Sequence, residues 1–323
     1  MKTKESLQKG YRYIFGPVPS RRLGLSLGID LLPHKTCTLD CVYCECGKTT
    51  HLTTKREAYV ETDAVIREVR DFLKTRPVLD YITFSGSGEP TLHEEIGEVI
   101  RFLKSEYPEY AVCLLTNGTL FDQPQVREAV VEADLIIASI DAGCAETFKT
   151  VNRPHPRLDF PSIIEGLVKM GEDRKHALWI ECFIIPEVND SEREFFQIKT
   201  HIGRVHADKV QLNTLDRPGT ESWVTPASPA RLRELTGFLM GSEIIPSAFH
   251  SKIGQPDESD LHQRIFATLR RRPSTLEDLS RSLGMEEAFL WQHICTLLDR
   301  ELIEKIHMPR GEFLAIKGQA TGV

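Results

Sequence analysis

Apolar residues recur along the chain in two alternating rhythms. Short runs rich in Ile, Val, Leu and Phe occupy residues 25–31, 81–85, 111–116, 135–140, 178–185 and 209–213. Such near-continuous apolar runs are typical of parallel strands buried on both faces. Between them the apolar positions take helical spacing. Val65, Val69, Phe72 and Leu73 share one face of residues 62–74, and Ile96, Val99, Ile100 and Leu103 share one face of residues 93–104. Gly or Pro stands at most junctions. Strands alternating with helices predict a parallel α/β domain. Periodicity alone does not separate an open sheet from a full or partial barrel.

The alternation stops after residue 215. Pro218, Gly219, Pro226, Pro229, Pro246 and Pro256 interrupt residues 216–257 around one helical stretch at 231–239, so a linker with a supporting segment is expected. Within residues 258–323 a helix over 261–269 ends at Arg272-Pro273. Ser274 or Thr275 then caps a short helix that stops near Gly284. A further helix over 286–300 buries Leu290, Ile294, Leu297 and Leu298. Residues 302–306 and 313–316 flank Pro309-Arg310-Gly311, the pattern of a β-hairpin. Three helices and a hairpin predict a winged helix-turn-helix. The expected plan is a core at 1–215, a linker and supporting segment at 216–257 and a winged-helix domain at 258–323.

Composition narrows the class. Hydrophobic residues make up 41% and charged residues 27% of 323 positions, the balance of a soluble globular protein. No apolar run reaches the roughly 18 residues of a membrane span. Residues 1–10 are charged and lack the apolar stretch of a signal peptide, so a cytoplasmic location is expected. The net charge of −7 argues against general nucleic-acid affinity.

The cysteines change the picture most. They stand at 37, 41, 44, 46, 113, 144, 182 and 295, with four of them inside ten residues. That clustering is unlike the disulfide framework of a small secreted domain. Cys113 and Cys182 fall in strand runs and read as core thiols. Cys37-Thr-Leu-Asp-Cys41-Val-Tyr-Cys44 follows the first strand run. Thiolates are soft ligands that suit zinc or iron–sulfur clusters. A structural zinc site closes four positions, commonly from paired ligands. Here three cysteines share one tight loop, and Cys46 is awkwardly close to Cys44 to serve as a fourth ligand. Three thiolates would leave one iron of a cubane open.

These residues carry a resemblance. The CxxxCxxC loop, with aromatic Tyr43 before its last cysteine, resembles the signature of the radical S-adenosylmethionine (SAM) superfamily. The resemblance implies a 4Fe-4S cluster on Cys37, Cys41 and Cys44 and a partial (βα)6 TIM-like barrel. It implies SAM at the open iron, reductive release of a 5′-deoxyadenosyl radical, and an oxygen-sensitive cluster fed by a flavodoxin- or ferredoxin-type reductant. Ser85-Gly86-Ser87-Gly88-Glu89-Pro90 resembles the family's GGEP motif, with Ser87 replacing its first glycine. Gly86, Ser87, Gly88 and Glu89 are therefore expected to hold the SAM amino group. Asn117, Ser139 and Asp141 stand at two later strand ends, where relatives contact the methionyl carboxylate and ribose, although Asn-Gly and Asp also serve ordinary turns.

Phe15-Gly-Pro-Val-Pro-Ser-Arg-Arg-Leu-Gly24, Ile185-Pro-Glu-Val-Asn-Asp190 and Arg217-Pro-Gly219 resemble the branch related to the wyosine-synthesis enzymes, which modify a guanine base in transfer RNA. Arg21 and Arg22 are either contacts for an anionic substrate or a solvated pair. The chain departs from that branch at one point: no cysteine precedes Cys37, so a second cluster is not implied.

Three functions stay open. One is radical chemistry on an RNA base or nucleotide-like substrate. Another is radical chemistry on a peptide or protein delivered by the winged helix. The last is a regulator whose cluster senses redox state. For the winged helix, ten Asp/Glu against nine Lys/Arg from Glu258 to Val323 weigh against DNA, because phosphate contacts need cations.

Overall fold

The fold opens with an antiparallel pair, β1 (Ile14–Ser20) and β2 (Gly24–Ile29), in a register running from Ile14 opposite Ile29 to Ser20 opposite Gly24. Pro17 and Pro19 have no amide to donate, and β1 tolerates them because it is an edge strand. Those prolines are also why the sequence pattern gave no strand there. The two-residue strands β3 (Thr36–Cys37) and β4 (His51–Leu52) follow. Then comes the expected alternation: α1 (Thr62–Leu73), β5 (Tyr81–Phe84), α2 (Ile96–Glu106), β6 (Ala111–Thr116), α3 (Pro124–Val130), β7 (Leu135–Ser139), α4 (Ala145–Asn152), α5 (Phe160–Asp173), β8 (Ala177–Phe183), α6 (Glu192–Val205) and β9 (Lys209–Asn213).

This computed structural model describes residues 11–239, 241–246, 261–283 and 285–318. Outside the described residues lie 1–10, read above as lacking a signal peptide, most of the expected linker's second half, and Gly284, the expected helix stop.

The helix faces read from periodicity are the buried ones. Val65, Val69 and Leu73 on α1, and Ile96, Val99, Ile100 and Leu103 on α2, are buried in the main core. Full burial of such a side chain contributes about 1.5–3 kcal/mol. Phe72 lies at the margin of the α1 face and is only partly buried. α7 (Pro229–Phe238) and β10 (Ser242–Ile244) complete this part. The strand order is β1-β2-β5-β6-β7-β8-β9-β10, and every pairing after β1–β2 is parallel. The protein is thus an α/β fold built on a mostly parallel sheet. α7 and β10 fall in the segment expected to be a linker with a supporting piece. Leu232 and Leu235 of α7 enter the main core, and β10 adds a strand beside β9. A three-residue strand carries no readable period, so β10 is visible only in the structure.

Because β2 and β5 to β9 point the same way, the loops that follow them gather at one edge of the sheet. Ligand sites of parallel α/β folds form at that edge.

A second group of elements comprises α8 (Leu261–Arg271), β11 (Ser274–Thr275), α9 (Leu276–Leu283), α10 (Glu287–Asp299), β12 (Ile303–Met308) and β13 (Gly311–Ile316). β11, β13 and β12 form an antiparallel sheet in that order, and Ile265, Leu269, Leu279, Leu290, Ile294 and Leu297 build its separate core. The start of α9 is capped as its sequence suggests. Thr275 Oγ1 accepts from Asp278 N at 3.1 Å, and Asp278 Oδ2 accepts from Thr275 N at 3.3 Å.

Polar contacts fasten the two groups together. Arg217, only 5% exposed, donates to Pro273 O at 2.8 Å and Asp278 Oδ2 at 2.7 Å. Arg310, in the β12–β13 turn, donates to Asp216 Oδ2 at 2.5 Å and Asp278 Oδ1 at 2.7 Å.

Candidate functional site

The cysteine loop starts where β2 hands over to β3, and neighbours hold it on three sides. Asp40 N donates to Asn152 O at 3.0 Å and Val42 N to Val151 O at 2.9 Å, so the end of α4 grips the loop's middle. Cys44 N donates to Cys41 O at 3.1 Å and Gly47 N to Cys44 O at 3.2 Å. These consecutive turns bring Cys41, Cys44 and Cys46 round together. From the far side Thr220 Oγ1 donates to Cys44 O at 3.1 Å and Glu221 N to Val42 O at 3.0 Å.

The loop after β5 lies directly against this one. Lys35 N donates to Ser87 O at 2.9 Å and Glu89 N to Thr36 O at 3.2 Å. Gly88 is required by that approach, because a Cβ there would sit 2.0 Å from Thr36 O. Gly86 adopts a φ of +152°, and a Cβ on it would strike the Asp30 carboxylate. Ser87, the departure from the motif, donates from its N and Oγ to Asp30 Oδ2 at 3.2 and 3.1 Å.

Glu89 is 2% exposed and acts as a brace. Its Oε1 accepts from Thr91 N, Thr91 Oγ1 and Thr116 Oγ1 at 3.1, 2.6 and 2.6 Å, and its Oε2 from Asn117 N at 2.7 Å. Burial still raises its pKa above the ordinary carboxylate range, with these bonds opposing the shift. The carboxylate thereby ties the end of β6 to the loop after β5. Asn117 continues the chain of contacts: its Nδ2 donates to Thr38 Oγ1 at 2.8 Å and lies 3.7 Å from Cys37 Sγ.

Asp141, just past β7, does the same for the other half of the loop. Its Oδ2 accepts from Tyr43 Oη at 2.5 Å and Asn152 Nδ2 at 2.8 Å, and its Oδ1 from Phe183 N at 2.9 Å. Asn152 Nδ2 also reaches Cys41 Sγ at 3.4 Å. The Tyr43 ring stacks on Phe183 with centroids 3.9 Å apart. Burial, then the Asp141 charge, holds the Tyr43 phenol well above its ordinary pKa. Ser139, partly exposed at the end of β7, sits beside Glu181 in the β7–β8 ladder.

The thiols differ in electrostatics. Burial, reinforced by Glu89, pushes Cys37 up to about 12, and burial with the neighbouring Cys44 also raises Cys41. Cys44 goes the other way: the Cys46 thiol donates to it and the Lys35 ammonium lies 3.1 Å from its Sγ, which together favour the thiolate. Among the described residues no three His, Cys, Asp or Glu side chains converge on a point as one mononuclear ion would require. A cubane takes each thiolate on a different iron and does not impose that convergence.

The structure therefore brings together Tyr43, the cysteines, residues 86–89, Asn117 and Asp141. Two further side chains, Lys35 and Thr38, join them without having been singled out by sequence. So does Asn152, whose Asn152-Arg153-Pro154 run resembles a frequent family sequence but whose contact with Cys41 was not foreseen. Cys113 and Cys182 are buried, and Cys144 stands at the start of α4 near Thr147 and Glu194. Arg21 and Arg22 are both partly buried beside carboxylates. Arg22 pairs with Glu181, and Arg21 lies 3.7 Å from Asp216. Among the described residues no helix is long and apolar enough to cross a membrane.

The family model of the Radical SAM superfamily matches residues 31–197. A protein named GTPase Obg from Brachyspira hyodysenteriae is 39% identical over 290 residues, 89% of this chain but 42% of that protein. The chain thus spans less than half of that relative. A UPF0026 protein from Helicobacter pylori is 34% identical over 295 residues, 90% of this chain and 93% of that one. The crystal structure of a radical SAM methyltransferase from Sphaerobacter thermophilus shares the fold with a TM-score of 0.55 at 16% identity, over 68% of this chain and 65% of that one. The family match spans over half of the chain and covers the whole CxxxCxxC loop and β5 to β8, and on that ground the chain belongs to the radical SAM superfamily of enzymes.

Proposed function

We propose that Cys37, Cys41 and Cys44 hold a 4Fe-4S cluster. Tyr43, Gly86, Ser87, Gly88, Glu89, Asn117, Ser139 and Asp141 would hold SAM beside it, and the substrate is an RNA base or nucleotide-like molecule. One observation carries the reading. Polar side chains past the ends of β6 and β7 and at the end of α4 are bonded to the loop's own thiols and tyrosine: Asn117 to Cys37, Asp141 to Tyr43 and Asn152 to Cys41. The donor set fits the cluster, because soft thiolates on one loop suit iron–sulfur ligation. Bound there, the cluster and SAM supply reductive cleavage of SAM and hydrogen abstraction from the substrate.

The chain's own residues do the positioning. Gly88 lets the loop after β5 lie on Thr36, Glu89 fixes Asn117, and Asp141 orients Tyr43. The nucleotide-like substrate follows from the likeness of residues 15–24 to enzymes that modify a guanine base. Arg22 is already paired with Glu181, so we assign recognition to the base rather than its phosphates.

A specific contact favours a second reading. We take residues 258–323 as a winged helix and residues 1–215 as the partial barrel. Arg310, on the wing, faces Asp216 and Asp278 rather than outward, which leaves it unavailable to a nucleic acid. In this reading the winged helix delivers a peptide or protein to the site. A flavodoxin- or ferredoxin-type reductant in the cytoplasm completes either scheme.

The test is anaerobic reconstitution, iron and sulfide analysis, dithionite reduction and chromatography of 5′-deoxyadenosine. Deoxyadenosine release is expected. An intact cluster that leaves SAM uncleaved would sink both enzymatic readings and leave a redox sensor. Mass-shifted nucleosides in a deletion strain decide for RNA, and mass-shifted peptides decide for the second reading.

A further inference from the structure

Lys35 has a placement that ordinary surface lysines lack. It is 3% exposed, and its backbone sits in the left-handed region at φ +56°. That conformation is uncommon for a side-chain-bearing residue. Lys35 N donates to Ser87 O at 2.9 Å, and its carbonyl accepts from Thr50 N at 3.1 Å and His51 N at 3.0 Å. The strained backbone is thus fixed on both sides, and the side chain is delivered into the cysteine loop. There the ammonium lies 3.1 Å from Cys44 Sγ.

A buried ammonium is costly unless a negative charge accompanies it. The partner that the buried Lys35 side chain reaches is the Cys44 thiol, in the tight turn that follows Cys41. The cation therefore belongs to the thiols.

We infer that Lys35 sets the reduction potential of the cluster, raising it through a fixed positive charge beside the Cys44 ligand. This rests on the reading that Cys37, Cys41 and Cys44 hold a 4Fe-4S cluster. Reduction adds one electron, supplied by dithionite in the test and by a low-potential protein donor in the cell. It breaks no bond and moves no proton. The reduced site carries one more negative charge than the oxidised one, so a nearby cation stabilises the reduced form more. Hydrogen bonds and charges around cluster sulfurs are established determinants of such potentials.

The experiment is an EPR-monitored redox titration of reconstituted full-length protein without SAM, on wild type, Lys35→Met, Lys35→Gln and Lys35→Arg, each with iron and sulfide determined. Lys35→Met and Lys35→Gln are expected to disfavour reduction at least tenfold, a fall in midpoint potential of about 59 mV for one electron. Lys35→Arg keeps the charge and should stay near wild type. An unchanged midpoint in Lys35→Met, or an equal fall in Lys35→Arg, overturns the inference. So does loss of the cluster from both neutral variants with retention in Lys35→Arg, because the lysine would then be needed for assembly instead. A wild-type protein that binds no 4Fe-4S cluster is a different result, and it overturns the cluster reading itself.

Discussion

Asn152 joins two functions in one side chain: its Nδ2 faces both Cys41 Sγ and Asp141 Oδ2. Glu89 has a similar position on the other side, where Thr91, Thr116 and Asn117 all depend on its oxygens. Leaving a buried donor unsatisfied costs about 1–3 kcal/mol. Glu89→Ala should therefore lower the melting temperature and the iron content together, as read by calorimetry and iron analysis. Cys37→Ala, Cys41→Ala and Cys44→Ala should each abolish the cluster, whereas Cys46→Ala should retain it. Iron near the wild-type level in Cys41→Ala would contradict the ligand assignment. The three cysteines were legible because their chemistry lies in local spacing. Lys35 and the contact between Asn152 and Cys41 were not. A lysine near cysteines looks like any solvated lysine until its burial is known, and Asn152 meets Cys41 across 111 residues of chain.

At the scale of elements, α1, α2 and the apolar strands were legible from period and composition, with shifts only at their ends. β1 was hidden by its prolines and β10 by its brevity, and both are outer strands of the sheet. Helix and strand interiors impose a repeating pattern on sequence, whereas an edge strand needs only one partner and tolerates exceptions. One tight joint between elements is Gly88 on Thr36 O. Here the obstacle is backbone, which cannot swing aside as a side chain would. Gly88→Ala should therefore separate the loop after β5 from β3. Faster amide exchange at Glu89, whose N–H bonds to Thr36 O, would register it. Wild-type exchange there would show that the loop accommodates a methyl group.

Across the whole molecule, the joint between the two groups of elements has an ionic part beside the packing of Met308 on the Val42 cluster. Burial alone would raise the pKa of Asp278, but Arg217 and then Arg310 outweigh it and bring it down to about 2. A carboxylate whose folded pKa is depressed stabilises the folded form above its unfolded value of about 4, and that contribution disappears as pH falls through the folded value. The joint should therefore be insensitive to pH above about 4 and loosen between about 4 and 2. Hydrogen exchange in α9 and in the 216–221 loop would follow this, and Asp278→Asn should abolish the pH dependence. Asp278→Ala removes the anion that Arg217 and Arg310 share but leaves Arg310 with Asp216 and Arg217 with Glu45, so the loss should stay below the roughly 3–5 kcal/mol of a buried charge left wholly unpaired.

Arg217 begins a short strap whose later residues reach Cys44 O through Thr220 and Val42 O through Glu221. The family-matched stretch ends at residue 197. A protein trimmed to that stretch would keep every proposed iron ligand yet lose the backbone partners that close the cysteine loop. The smallest piece worth expressing for cluster chemistry must therefore run past Glu221, and to keep Arg217 anchored it must also include Asp278.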